Sequence, residues 1–318
     1  MLNLLVTDQC GPKYRKELEE NFGGLCSIEF LPINESPEKI KKADIIIGEP
    51  RPEYLAAARN LKWVQMTYAG ADMYTKDATF PENVMLTNVS GAFGAIISEY
   101  VIGAILEDYR LFNIYRKNAE RHLWNDSGTE QTLEGKTVLI LGTGDIGSNL
   151  AKRLRAFGVK TVGIRRNAAV KPEYFDEVYG VAQLDRLLGA ADITVCCLPR
   201  TDNTEDLFSV ERLRLLKEGS LFINVGRGSA VNTDGLIMYL NEGHKTHFVL
   251  DVLTQEPLSK DSPLWDNENV FITPHISGKG LGHAPETERK VWDICIDNLR
   301  RFLKSQSLCH AVDIKKGY

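Results

Sequence analysis

No stretch of this chain approaches the ~18 to 20 consecutive apolar residues that a membrane-spanning helix needs. Positive charge is not in excess either: 38 Lys and Arg face 43 Asp and Glu, a formal net charge of −5. Such a chain has little with which to neutralise a phosphate backbone, so nucleic acid is not an expected partner. Cysteine is sparse, six residues in 318 (Cys10, Cys26, Cys196, Cys197, Cys295 and Cys309), and no CxxC pair points to zinc. These read as reduced thiols, with Cys196 and Cys197 inside ITVCCLP, a run that suits a buried strand. The N-terminus, MLNLLVTD, has neither a basic segment nor a cleavage site, and the expected location is the cytoplasm. There is no repeat or low-complexity tract, and the histidines outside the motifs below (His122, His244, His247, His283 and His310) suggest surface or packing roles. No metal is expected.

What is present is an average globular composition, 43% hydrophobic and 25% charged. At roughly 150 residues per domain, the length predicts two domains. Short apolar runs (LNLLVTD, SIEFLP, ADIIIG, LKWVQMT, VMLTNV) alternate with helix-compatible segments over the first hundred residues. Runs of this kind suit strands buried on both faces, and therefore an open parallel sheet with crossover helices. From Ser90 the apolar segment GAFGAIISEYVIGAILEDYRLF continues into NIYRKNAERHLWND, and the economical reading is one long helix. A second series, KTVLILG, KTVGIRR, ADITVCCLP, LFINVGRG, THFVLDVL and NVFITPH, predicts six strands of a doubly wound nucleotide-binding domain.

In VLILGTGDIGSNLAKRLRAFG the spacing G-x-G-x-x-G falls on Gly142, Gly144 and Gly147, with Asp145 and Ile146 inside the loop, between a strand and a helix. In that context Gly142 permits the turn, Gly144 admits a pyrophosphate, and Gly147 lets the helix pack on the strand. The helix N-terminus adds unpaired N–H groups and partial positive charge. The next strand, TVGI, ends in Arg165 and Arg166, where a carboxylate for the ribose hydroxyls is usual. Two guanidiniums suit a ribose 2′-phosphate, so NADP(H) is the expected cofactor, with NAD(H) second. An acidic residue one position away would instead leave both arginines to solvent.

INVGRG, DVLTQEPL and ITPHISG follow LGTGDIG in order, and the four motifs closely resemble the D-2-hydroxyacid dehydrogenase family, over nearly the whole length. The resemblance implies a Rossmann-type dinucleotide-binding domain inserted into a smaller flavodoxin-like α/β substrate domain, with the active site in the cleft. The expected boundaries are 1–100 for the first part of the substrate domain, 101–285 for the dinucleotide-binding domain with its dimerisation arm, and 286–318 for the return. It implies a homodimer paired through residues about 100 to 135, where Arg121 and Trp124 in RHLW could be dimer contacts, cleft wall or simple packing.

The chemistry agrees with the residue types. Reducing a 2-oxo acid needs a cation for the carboxylate, a proton donor, and a partner for that donor. Arg227 can fork the carboxylate and carbonyl oxygen, His275 can give the proton, and Glu256 can orient His275. The glycines flanking Arg227, Gly226 and Gly228, suggest backbone packed close to a ligand. In MTYAGADMY the residues matching the family's substrate loop are Ala69 and Gly70, whose backbone N–H groups would meet the carboxylate. The sequence departs from the commoner Ser by placing Tyr68 before Ala69, which alters the pocket expected there. Arg51 in GEPRPEY faces either substrate or solvent. By motif position, Pro199, Thr204, Val225, Gly226, Asp251 and Gly278 belong to the cofactor site. The expected activity is reduction of glyoxylate, hydroxypyruvate or a similar small 2-oxo acid. Alternatives are a phosphoglycerate dehydrogenase-like enzyme and a non-catalytic dinucleotide sensor of the same fold.

Overall fold

In a computed structural model of the chain, residues 1–31, 37–75 and 80–317 are described. The chain divides into two compact units, Met1–Phe93 with Lys279–Tyr318, and Gly94–Gly278. Both are built on parallel sheets, the arrangement implied by the sequence motifs.

The first unit carries β1 (Leu2–Val6), β2 (Cys26–Phe30), β3 (Ile45–Ile47), β4 (Trp63–Gln65) and β5 (Met85–Thr87) in the order β2-β1-β3-β4-β5. This is the flavodoxin-like order, and every pairing is parallel. β3 and β4 are fully buried, which is why III and WVQ appear as unbroken runs rather than alternating ones. The helix Pro12–Phe22 starts on a proline, which is pre-set for the first helical position, and turns Tyr14, Leu18 and Phe22 inward at a four-residue spacing. The helix Pro285–Leu303 belongs to this unit. Its Phe302 stacks on Trp63 at 5.1 Å, its Trp292 stacks on Tyr14 at 5.6 Å, and Asn298 donates to Gln65 Oε1 at 2.8 Å.

The second unit has seven strands: β6 (Thr137–Leu141), β7 (Lys160–Ile164), β8 (Glu177–Tyr179), β9 (Ile193–Cys196), β10 (Leu221–Asn224), β11 (His247–Leu250) and β12 (Val270–Ile272). Their order, β12-β11-β10-β9-β6-β7-β8, is doubly wound and reverses between β6 and β9. Six match the expected runs. The seventh, β8, is a three-residue edge strand without a fully buried position, so no apolar run announces it.

The long helix after Ser90 is two helices, Gly94–Tyr109 and Phe112–Glu120. Leu111 between them is left-handed, with φ +53°. The Tyr109 carbonyl accepts from the Gln131 amide at 2.9 Å, so the returning chain takes an acceptor that a continuing helix would use. The first helix packs on Asp145–Leu154 so closely that a Cβ at Gly94 would lie 2.3 Å from Asn149 Nδ2. This whole helix groups with the second unit, which puts the division at Phe93/Gly94 rather than beside residue 100. The other crossing falls at Gly278/Lys279. Among the described residues no helix is long and apolar enough to cross a membrane.

Candidate active site

The three glycines of the loop after β6 are explained separately. Gly142 has φ +95°, the left-handed region, and a Cβ there would sit 3.0 Å from the Cys197 carbonyl of the neighbouring loop. At Gly147 a Cβ would be 2.0 Å from the Gly142 carbonyl, so only glycine lets the helix Asp145–Leu154 start this close to its strand. Gly144 is exposed and meets nothing within 4 Å, at the N-terminus of that helix. A bare backbone with open space before a row of helix N–H groups is a cradle for an anion such as a pyrophosphate. The residues present therefore fit a dinucleotide. Asp145 opens the helix, its carboxylate accepting from Asn149 Nδ2 at 2.9 Å.

The other cofactor candidates follow the carboxyl ends of parallel strands, which is where open α/β sheets bind ligands. Arg165 and Arg166 come directly after β7. Arg165 is partly buried, its Nη1 donating to the Val170 carbonyl at 2.8 Å, and Arg166 is exposed. After β9, Thr204 folds back so that its hydroxyl donates to the Pro199 carbonyl at 2.7 Å, bringing these two residues together. Val225 is buried just after β10, Asp251 just after β11, and Gly278 lies within the loop that follows β12.

Asn224, the last residue of β10, shapes the Arg227 loop: its Oδ1 accepts from the Gly226 amide at 3.1 Å and its Nδ2 donates to the Arg227 carbonyl at 3.0 Å. The glycines beside Arg227 have a different cause from the one expected. A Cβ at Gly226 would lie 2.5 Å from the Leu198 carbonyl oxygen, and one at Gly228 would lie 1.9 Å from the Leu253 carbonyl carbon. Protein backbone, not a ligand, occupies the space that forbids side chains there. Arg227 itself is partly buried, with Nη1 donating to the Gly226 carbonyl at 2.9 Å.

His275 Nδ1 lies 2.8 Å from Glu256 Oε2, and Glu256 Oε1 accepts from the Leu253 amide at 3.0 Å. Facing a carboxylate, Nδ1 carries the hydrogen, which leaves Nε2 as the nitrogen able to serve a substrate. His275 has φ +54°, a left-handed conformation that a residue with a side chain adopts at a cost of about 1 to 3 kcal/mol. Buried Asp251 holds it there. Its Oδ1 accepts from Thr273 Oγ1 at 2.6 Å and from the Ile276 amide at 2.8 Å, and its Oδ2 accepts from the Ser277 amide at 3.0 Å. Its carbonyl takes the His275 amide at 2.9 Å. Tyr100, on the helix Gly94–Tyr109, hydrogen-bonds Thr273 Oγ1 at 2.6 Å. The geometry gives the Asp251 carboxylate the task of fixing the histidine loop. Asn224, Thr273 and Tyr100 were not singled out from sequence, although Asn224 and Thr273 sit inside quoted motifs.

In the first unit, Ala69 is exposed and Gly70 partly so, in the loop after β4. Tyr68 is exposed and its ring lies parallel to Phe93 with centroids 6.3 Å apart. Arg51 is at the surface, 3.6 Å from Glu53. Among the described residues no group of three or more His, Cys, Asp or Glu could hold a metal ion.

The NAD-binding domain of D-isomer specific 2-hydroxyacid dehydrogenases matches residues 102–277. The chain belongs to this family. Among its structural relatives is a D-isomer specific 2-hydroxyacid dehydrogenase family protein from Aeromonas salmonicida, 36% identical, TM-score 0.87, covering 98% of this chain and 99% of that one. The NADPH-dependent glyoxylate/hydroxypyruvate reductase of Sinorhizobium meliloti, solved with NADP and sulfate, is 27% identical, TM-score 0.83, covering all of both chains. A glyoxylate reductase from Thermofilum pendens is 32% identical over 80% of this chain and 75% of its own. As a 2-hydroxyacid dehydrogenase the chain is an oxidoreductase of small 2-oxo and 2-hydroxy acids and binds a nicotinamide dinucleotide.

Proposed function

We propose that this dehydrogenase reduces a small, singly anionic 2-oxo acid, glyoxylate or hydroxypyruvate, using NADPH in preference to NADH. The observation that carries the cofactor choice is the pair Arg165 and Arg166 directly after β7. A ribose 2′-phosphate would meet two guanidiniums there, and a charged hydrogen bond of about 1.5 to 3 kcal/mol corresponds to roughly ten- to a hundredfold in discrimination. Two relatives named as glyoxylate reductases support the substrate class.

The residues proposed to hold the dinucleotide are Gly142, Gly144, Asp145, Ile146 and Gly147 at the pyrophosphate, Arg165 and Arg166 at the adenosine end, and Pro199, Thr204, Val225, Gly226, Asp251 and Gly278 along the carboxyl edge of the sheet. When bound, that group supplies the hydride. Arg227 grips the substrate carboxylate and carbonyl oxygen as a fork, which fixes the carbon to be reduced. His275 gives a proton from Nε2 to the carbonyl oxygen as negative charge builds on it. Glu256 keeps the ring oriented through Nδ1 and offsets the charge of the imidazolium. Ala69 and Gly70 are proposed to add two backbone N–H donors to the carboxylate. We place the enzyme in the cytoplasm as a homodimer. The 2.8 Å His275–Glu256 contact favours catalysis over a sensor role, since a dinucleotide sensor needs no proton donor.

The test is a panel of kcat/KM values. NADPH should exceed NADH by roughly ten- to a hundredfold, and Arg165→Asp should lose a factor of that order. Equal values for the two cofactors refute the cofactor assignment. Glyoxylate or hydroxypyruvate should exceed 3-phosphohydroxypyruvate, because one exposed guanidinium, Arg51, is a weak basis for a second anion site. A tenfold advantage for the phosphorylated acid would put a phosphoglycerate dehydrogenase-like enzyme in place of this one.

A further inference from the structure

The carboxyl edge of the first sheet carries a polar cluster that the reaction above does not use. β1, β3 and β4 are neighbours there, and the strand order reverses between β1 and β3. That reversal is where open parallel sheets gather functional groups. Past the end of each strand lies one member: Asp8 after β1, Glu49 after β3 and Thr67 after β4. The Thr67 hydroxyl bonds Asp8 Oδ2 and lies 3.1 and 3.0 Å from Glu49 Oε1 and Oε2. Glu49 Oε1 also accepts the backbone N–H groups of Thr67 and Tyr68, at 2.7 and 3.1 Å, and Asp8 Oδ1 accepts from the Gln9 amide at 2.6 Å.

A hydroxyl has one hydrogen to give, and two carboxyls face this one. With that hydrogen directed to Asp8, the contact to Glu49 Oε2 needs a proton from Glu49. The chain runs from Glu49 Oε2–H to Thr67 Oγ1, and from Thr67 Oγ1–H to Asp8 Oδ2, with Asp8 ionised and Glu49 neutral. Burial and the charge of Asp8 act in the same direction, pushing the Glu49 carboxyl up to about 8.

We propose that neutral Glu49 is a positioning residue that holds the Thr67–Gly70 loop in the shape that receives the substrate carboxylate, and that loss of its proton releases the loop. This rests on the reading that the Ala69 and Gly70 amides meet the substrate. Ionised Glu49 would leave two anions around one hydroxyl hydrogen, and would put negative charge behind a loop that has to accept an anion. The phenols and thiols around it stay protonated near pH 8. Tyr74, which donates to the Pro50 carbonyl at 2.7 Å, and Tyr68 are both pushed up by burial. Burial likewise raises the Cys10 thiol to about 12 and the Cys295 thiol well above its usual value. Arg15 and Glu288 lie on the Cys10 side, and Arg51 pairs with Glu53 at the surface. The titration near pH 8 therefore belongs to Glu49.

The experiment measures KM for glyoxylate, kcat and NADPH Kd from pH 6 to 9.5 for wild type, E49Q and E49A. If only neutral Glu49 supports binding, wild-type KM rises about tenfold between pH 7 and 9. The E49Q amide keeps an acceptor for the two N–H groups and a donor for Thr67, so its KM should stay flat over that range. E49A should raise KM throughout, with NADPH Kd constant in all three. His275 contributes equally to wild type and E49Q, so their ratio isolates Glu49. Coincident wild-type and E49Q profiles overturn the proposal, as does an NADPH Kd that moves with KM. Failure to reduce any 2-oxo acid would instead remove the functional reading. In that case 13C NMR of carboxyl-labelled glutamate still decides: the resonance that E49Q deletes should titrate near pH 8, and titration near the ordinary ~4.3 overturns the assignment.

Discussion

A proton donor on a loop must be aimed, and His275 is aimed from two sides. Glu256 fixes its ring through Nδ1, and Asp251 fixes its backbone in a left-handed conformation that imidazole would not otherwise favour. His275→Ala should therefore lower kcat by roughly 10² to 10⁴ while NADPH binding, followed by fluorescence titration, is retained. An alanine enzyme of near wild-type kcat would remove His275 from the proposed mechanism. At this scale the sequence was readable where the backbone demands glycine, as at Gly142 and Gly147, and where two motifs meet, as His275 and Glu256 do at 2.8 Å. It was misread at Gly226 and Gly228, because a glycine pressed against backbone and one pressed against a ligand leave the same letter. Asp8, Glu49 and Thr67 went unread for another reason. They come from three separate loops, and nothing in the spacing of lone polar residues says that they meet.

Between elements, the second unit depends on how the helix Gly94–Tyr109 is fastened to its surroundings. One end abuts Asp145 and Asn149 through Gly94; towards the other, Asp108 Oδ1 meets His247 Nδ1 at 2.6 Å, at the start of β11. The hydrogen bond to Asp108 raises the His247 imidazole above its usual value of about 6.5. A raised folded-state value means that the contact's contribution to stability is complete below about pH 6.5 and is lost as pH rises through the folded-state titration. The Tm difference between wild type and Asp108→Asn should therefore be largest at pH 5 to 6 and shrink towards pH 9. A difference independent of pH would show that the pair is not ionic. Eleven of the twelve strands among the described residues are legible as apolar runs, because a parallel strand covered on both faces has no polar side to hide it. β8 lies at an edge and lacks that signature. The helix break at Leu111 was invisible because the left-handed residue is a leucine, not a glycine, and its cause lies about twenty residues downstream at Gln131.

At the scale of the molecule, the segment after that break presents apolar side chains to solvent. The helix Phe112–Glu120 has no buried residue, and Phe112, Leu123 and Trp124 are all exposed. Exposed clusters of this kind mark association surfaces, and a stable pairing buries about 800 Å² per partner. Light scattering should find a dimer, and the double substitution Leu123→Glu with Trp124→Glu should leave monomers. A monomeric wild type would end the dimer proposal. The first unit carries a different consequence, because it is written in two pieces of chain with all of Gly94–Gly278 between them. Trp63 emerges from the ribosome 302 − 63 = 239 residues before Phe302, the ring that stacks on it. At about 5 to 20 residues per second, that interval is on the order of 12 to 48 s. Through it the second unit, continuous in sequence, can complete its own sheet, while Trp63 and Tyr14 wait without the aromatic rings that cover them. The part of the chain made first is thus the last to be finished, and a truncation just before Pro285 should yield a protein that keeps its nucleotide-binding unit and is captured by chaperones through the other.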